Sequence, residues 1–188
     1  KGHLSVCQWL FSVGAEGDIT RADNDGMTPL YVACEFGYLS VCKWLFENGA
    51  KEDVSKADKF GLTPMHVACK NGHLSVCEWL LKMGQEEDIR KSNNRGRTPM
   101  FSACENGRLS VCEWLYENGA KEDVSKANNE GLTPMHIASK NGHLRVCEWL
   151  ILNGILTDER LLNDDKHKNT KNALLEWATE VVATNKTF

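Results

Sequence analysis

The chain has 188 residues, 41% of them hydrophobic and 26% charged, which suits one globular core and argues against a disordered chain. A formal net charge of −4 supplies no basic field for nucleic acid or an anionic membrane surface. No apolar run approaches the ~20 residues of a membrane helix, and the opening KGHLSVCQWL lacks the continuous apolar stretch and cleavage site of a signal peptide.

From the N-terminus, the first predicted element is a helix over LSVCQWLFSV that stops at Gly14. Its pattern returns in LSVCKWLFEN, LSVCEWLLKM, LSVCEWLYEN and LRVCEWLILN, so the chain opens halfway through a repeating unit. The first helix of that opening unit is missing, which predicts a chain cut from a longer array. All four prolines sit in Thr-Pro pairs, Thr28-Pro29, Thr63-Pro64, Thr98-Pro99 and Thr133-Pro134, each 35 residues after the last. Gly2, Gly37, Gly72, Gly107 and Gly142 keep the same step. A fixed period of this size marks an array of supersecondary units.

One unit serves for all. Thr63 is the N-cap and Pro64 fills the first turn of a short helix, PMHVACKN, which Gly72 ends in a left-handed conformation. A second helix, LSVCEWLLKM, is closed by Gly84. Its polar residues Ser75, Glu78 and Lys82 form one narrow solvent stripe, so the rest of it must be buried by its partner helix and by neighbouring units. The stretches DNDG and DKFG carry turn chemistry and predict hairpin fingers. After Gly154, glycine and proline vanish. Residues 173–183, ALLEWATEVVA, set Leu174, Leu175, Trp177, Ala178, Val181 and Val182 on one helical face, opposite Asn172, Glu176, Thr179 and Glu180, as a terminal cap requires.

These residues resemble the ankyrin repeat over about residues 1–154. Gly61, Thr63, Pro64, His66, Ala68, Gly72, His73 and Leu74 match its G-x-T-P-L-H-x-A-A and G-H-L pattern. The resemblance implies an all-α solenoid of stacked helix–turn–helix units with hairpin fingers. It comprises a partial repeat (1–22), four repeats (23–57, 58–92, 93–127 and 128–154) and a degenerate C-terminal capping segment (155–188). The period departs from the family's usual ~33 residues, the two extra falling after the second helix, where GAKEDVSKA stands. Trp9, Trp44, Trp79, Trp114 and Trp149 replace the leucine that opens the second helix's core triplet. The asparagine that hydroxylases modify in some ankyrin repeats is Thr20, Ser55, Arg90 or Ser125 here, so that modification is not expected. A 70-residue period shows as well, WLFENGAKEDVSKA (44–57) returning as WLYENGAKEDVSKA (114–127), which points to growth by duplication of repeat pairs.

His66, Cys69, His73 and Cys77 fall at steps of three, four and four, and imidazole and thiolate are zinc ligands. The other copies test that reading. They carry Tyr31, Cys34, Tyr38 and Cys42; Phe101, Cys104, Arg108 and Cys112; and His136, Ser139, His143 and Cys147. Tyr, Phe and Arg do not replace a zinc ligand, so no metal site and no cofactor is expected. In the family, the T-P-L-H histidine hydrogen-bonds backbone across the repeat junction, which fits His66 and His136. The eight cysteines read as small core hydrophobes of a reduced, intracellular and hence cytoplasmic protein. No catalytic motif (G-x-S-x-G, P-loop or G-x-G-x-x-G) is present, and no catalytic residues are assigned. The pairs Glu52-Asp53 and Glu122-Asp123 are expected in an exposed, solvated inter-repeat stretch.

What remains is a surface. The resemblance implies a non-catalytic protein–protein interaction module, expected to be monomeric. It would bind a protein partner in the concave groove lined by the finger tips and the first helices. The predicted contact residues are Asn24, Asp25, Met27, Tyr31, Glu35, Phe36, Lys59, Phe60, Leu62, Lys70, Asn94, Arg95, Arg97, Phe101, Glu105, Asn129, Glu130 and Lys140. Alternatives stay open within this set. Phe36 and Phe60 are binding anchors or local packing; Tyr31 and Phe101 face the groove or fill the junction. The alternation Glu35, Lys70, Glu105, Lys140 makes cross-repeat ion pairs or sets a partner's register. The competing function is a structural spacer or elastic scaffold without a dedicated partner, which near-identical copies also suit.

Overall fold

A computed structural model of the chain describes residues 2–153. Among these, nine α-helices and no strands occur. Helix α1 (Leu4–Ser12) stands alone. Four helical hairpins follow: α2 (Pro29–Glu35) with α3 (Leu39–Glu47), α4 (Pro64–Asn71) with α5 (Leu74–Lys82), α6 (Pro99–Glu105) with α7 (Leu109–Glu117), and α8 (Pro134–Lys140) with α9 (Leu144–Leu152). The cap expected at 173–183 lies outside the described residues.

Local chemistry starts and stops each helix. Thr28, Thr63, Thr98 and Thr133 are extended, and each hydroxyl accepts a hydrogen bond from the amide three residues on, with proline in the first turn. Three of the second helices end where Asn48, Asn118 and Asn153 donate their side-chain amides to the carbonyls of Trp44, Trp114 and Trp149, at 2.7, 2.8 and 2.8 Å. Ser75, Glu78 and Lys82 are all exposed, the stripe that the polar spacing predicts.

The first helices pack against one another as one layer, and the second helices form another behind them. Between the layers lies a core of Leu30, Met65, Met100, Leu45, Leu80 and Leu115, each nearly or fully buried. Aromatic edges cross the second layer. Phe11 meets Trp44, Phe46 meets Trp79 and Tyr116 meets Trp149, with centroids 5.5, 5.8 and 5.6 Å apart and planes near perpendicular. Such edge-to-face pairs contribute about 0.5–1.5 kcal/mol beyond burial, which gives the substituted tryptophans a role between repeats.

A third bond set closes the junctions. The end of each first helix leaves carbonyls without intrahelical partners. The next repeat satisfies them: His73 Nε2 donates to the Glu35 carbonyl at 3.0 Å, Arg108 Nε to Lys70 at 3.2 Å and His143 Nε2 to Glu105 at 3.0 Å. Asn71 and Asn141 add donors to the Glu35 and Glu105 carbonyls at 3.0 and 2.7 Å.

Among the described residues, no first helix of its own repeat covers α1. Val6 and Leu10 are 50% and 44% exposed, whereas Val41 and Leu45, one period on, are 6% and 4%. A cavity of about 660 Å³ lies there, lined by Val6, Cys7, Val32 and Tyr38 among others.

The His73 ring lies so close to Gly37 that a Cβ there would stand 2.5 Å from Nδ1, and the backbone at Gly37 has φ +74°. Gly84, with φ +84°, has nothing within 4 Å of the same position. Gly84→Ala therefore meets left-handed strain alone, about 1 kcal/mol, while Gly37→Ala also displaces His73 from its carbonyl, for a total of about 2–3 kcal/mol. Urea denaturation of the two variants should show the larger loss at Gly37; equal losses would rule out the ring-on-glycine contact.

Candidate interaction surface

The fingers are built from one repeated device. At each base a short side chain turns back, so that Asp23, Asp58, Asn93 and Asn128 accept from the amides two and four residues on, at 2.9–3.0 Å. The fingers then join edge to edge. Lys59 N–H donates to the Asp25 carbonyl at 2.8 Å, Asn94 to Phe60 at 3.1 Å and Asn129 to Arg95 at 3.0 Å. Asn94 and Asn129 repeat the link through their side-chain amides, donating to the carbonyls of Lys59 and Asn94, both at 3.1 Å. Four tips are thus held on a common rail, presenting Asp25, Phe60, Arg95 and Glu130 at equivalent positions.

The predicted contact residues divide by burial. Asn24, Phe36, Lys59, Phe60, Lys70, Asn94, Arg95, Asn129, Glu130 and Lys140 are exposed. Asp25, Glu35 and Glu105 are half-buried; Met27 and Leu62 are too, and both pack against the core. Tyr31 and Phe101 are 2% and 1% exposed, so they fill the junctions and shape the groove from beneath. Tyr31 donates its hydroxyl to Asp58 Oδ2 at 2.9 Å, and burial together with that carboxylate raises its pKa. Phe36 and Phe60 are 56% and 53% exposed. Phe36 stacks on Tyr38 with centroids 6.0 Å apart, and the Lys59 ammonium sits 5.1 Å from the Phe60 ring centroid.

The charges pair differently from the cross-repeat alternation Glu35, Lys70, Glu105, Lys140. Glu105 is held within its own repeat by Arg97, Nη1 standing 3.0 Å from Oε1, and the guanidinium carbon lies 5.1 Å from the Phe101 ring centroid. Asp25 is engaged across the junction by Lys59 at 2.5 Å. Arg97 is therefore a partly buried structural cation rather than a free contact. Its pairing with a residue eight positions on depends on how the finger folds back on α6, which spacing alone does not reveal.

The histidines and thiols that mimic a zinc motif serve separate structural tasks. The Thr63 amide donates to His66 Nδ1 at 3.2 Å, which leaves Nε2–H to donate to the Arg97 carbonyl across the junction, also at 3.2 Å. Cys69 and Cys77 pack sulfur to sulfur at 3.6 Å, as do Cys34 and Cys42, and Cys104 and Cys112 do so at 3.5 Å. Burial raises the pKa of Cys34, Cys69 and Cys104 and pushes Cys147 up to about 11, so these thiols are protonated and weakly nucleophilic at neutral pH.

One expectation needs correction. Glu52 and Glu122 are exposed, but Asp53 and Asp123 are buried, with Asp88 like them. The added residues of each unit wind into 3-10 turns, Glu52–Val54, Glu87–Ile89 and Lys121–Val124, which turn the aspartate inward. Burial raises all three carboxyl pKa values against the opposing pull of Lys56, Lys91 and, for Asp123, Lys126 and Arg90.

His66 supplies a pH test. Its burial pushes the imidazole down to about 4 from an ordinary 6.5. Between those values the unfolded chain binds the extra proton, so this contribution to stability is present above pH ~6.5 and lost as pH falls toward 4. Phenylalanine already occupies the equivalent position at Phe101. Relative to a His66→Phe variant, wild type should lose about 3 kcal/mol of unfolding free energy between pH 7 and pH 4. Parallel pH profiles would show that His66 is not held neutral.

A model of ankyrin repeats in three copies matches residues 50–126 and 83–160, and a model of ankyrin repeats in many copies matches residues 1–46. No curated protein matches the chain. The chain belongs to the ankyrin-repeat family, whose repeats are generally protein–protein interaction modules.

Proposed function

We propose that the chain is a non-catalytic interaction module that binds a protein partner through the concave groove formed by the finger tips and the first-helix ends. The observation that carries this reading is the contrast between frame and tip. The Thr-Pro caps and the finger rail recur in each copy, yet on that rail the tips carry a carboxylate, an aromatic ring, a guanidinium and a carboxylate. A scaffold that repeats its frame and varies its display suits recognition, and exposed aromatics and arginine are favoured anchors of binding energy. Its surface comprises the exposed members of the predicted set, above all Phe36, Phe60, Lys70 and Arg95. Eight unpaired cysteines favour a reducing compartment.

The alternative, a spacer without a dedicated partner, is favoured by the near-identity of 44–57 and 114–127 and predicts that the groove is interchangeable surface. The two readings separate in one experiment. Wild-type protein and a Phe36→Ala, Phe60→Ala, Lys70→Ala, Arg95→Ala variant are immobilised after circular dichroism shows equal helix content, then exposed to lysate of the source cells. Arg97 is left intact because its removal would strand the Glu105 carboxylate. A protein retained by wild type and reduced about tenfold or more on the variant is the expected result. Equal retention by both would place the binding surface outside the groove, and retention by neither would favour the spacer.

A further inference from the structure

Charges in the groove separate into those that the fold uses and those that it leaves available. Asp25 is taken by Lys59 and Glu105 by Arg97. Lys70, Lys140 and Arg95 are exposed, and none forms an ion pair among the described residues. The cross-repeat partners that the alternating pattern offered to the two lysines are therefore not used. Lys70 shares the second repeat with Phe60, exposed on its tip, and Arg95 occupies the adjoining third tip, joined to it by the bond from the Asn94 amide to the Phe60 carbonyl. Glu35 sets an acid in the first repeat, while the fourth repeat carries both Glu130 and Lys140.

We propose, resting on the groove reading above, that the groove takes a short acidic peptide segment of its partner, with an apolar side chain seated on Phe60 and carboxylates reaching Lys70 and Arg95. The apolar contact supplies most of the affinity, because an exposed ion pair is worth only about 0–1 kcal/mol. The cations supply selection and register, since a basic segment would meet like charge at both positions. Glu35 limits the acidic stretch on the side of the first repeat. Two repeats at roughly 8–10 Å each correspond to about five or six extended residues at ~3.3 Å per residue. A long polyanion such as nucleic acid would run into that flanking carboxylate, and the whole chain carries net charge −4.

A random dodecapeptide display library, selected separately on the whole chain and on a Lys70→Glu, Arg95→Glu variant of equal helix content, tests this. Wild type should enrich peptides with Asp or Glu on either side of a Leu, Phe or Trp. The enriched peptide, labelled and measured by fluorescence anisotropy, should bind the charge-reversed variant about tenfold more weakly or worse, bind Phe60→Ala comparably weakly, and lose affinity as salt is raised. The variant's own selection should turn toward Lys and Arg. Enrichment of neutral or basic peptides on wild type, or acidic peptides that bind both proteins equally, would overturn the proposal. So would the absence of any enriched peptide. That last result leaves the groove reading to the lysate experiment, where a folded partner would still be lost from the groove variant.

Discussion

The structure depends on how the carbonyl end of each first helix is closed. A helix of seven or eight residues exposes at least as many unpaired backbone groups at its ends as it bonds within, and it does not persist alone. Here the next repeat closes it, through His73, Arg108 or His143 laid over a glycine and donating to the carbonyl ahead of it. Glycine is required because the His73 or His143 ring, or the Arg108 stem, occupies the space of a side chain. Each of the first three hairpins is therefore completed by its successor.

That constraint propagates outward. With the first helices held in register by junction bonds, and three of the four second-helix junctions by edge-to-face aromatic pairs, the fingers bond to one another along their backbones. The tips are consequently displayed from a frame rather than from independent loops. Such preorganisation would reduce the ordering cost of binding a partner at the proposed groove.

Much of this was legible in the residues. Thr-Pro pairs, the glycine step and the Asp- and Asn-based fingers all act through neighbours within four positions, and each element appears where that chemistry puts it. The zinc-like spacing of His66, Cys69, His73 and Cys77 could be weighed from the sequence as well, because the other copies substitute residues that do not bind zinc. Asp53 and Asp123 misled: beside Glu52 and Glu122 they read as a solvated charge run. The 3-10 turns made by the added residues carry them inside, and nothing in the local charge pattern distinguishes the inward acid from its outward neighbour.

The sequence by itself determined the period, the helix starts and stops, the turn of each finger and membership in a stacked family, because those rest on short-range backbone chemistry repeated in register. Tertiary structure alone decided which groove residues are available. Tyr31 is spent on Asp58, Arg97 on Glu105 and Asp25 on Lys59, while Phe36, Phe60, Lys70 and Arg95 stay exposed. The physical reason is distance along the chain. Tyr31 and Asp58 are 27 positions apart and Asp25 and Lys59 34, so these pairings exist only once one repeat has been laid against the next.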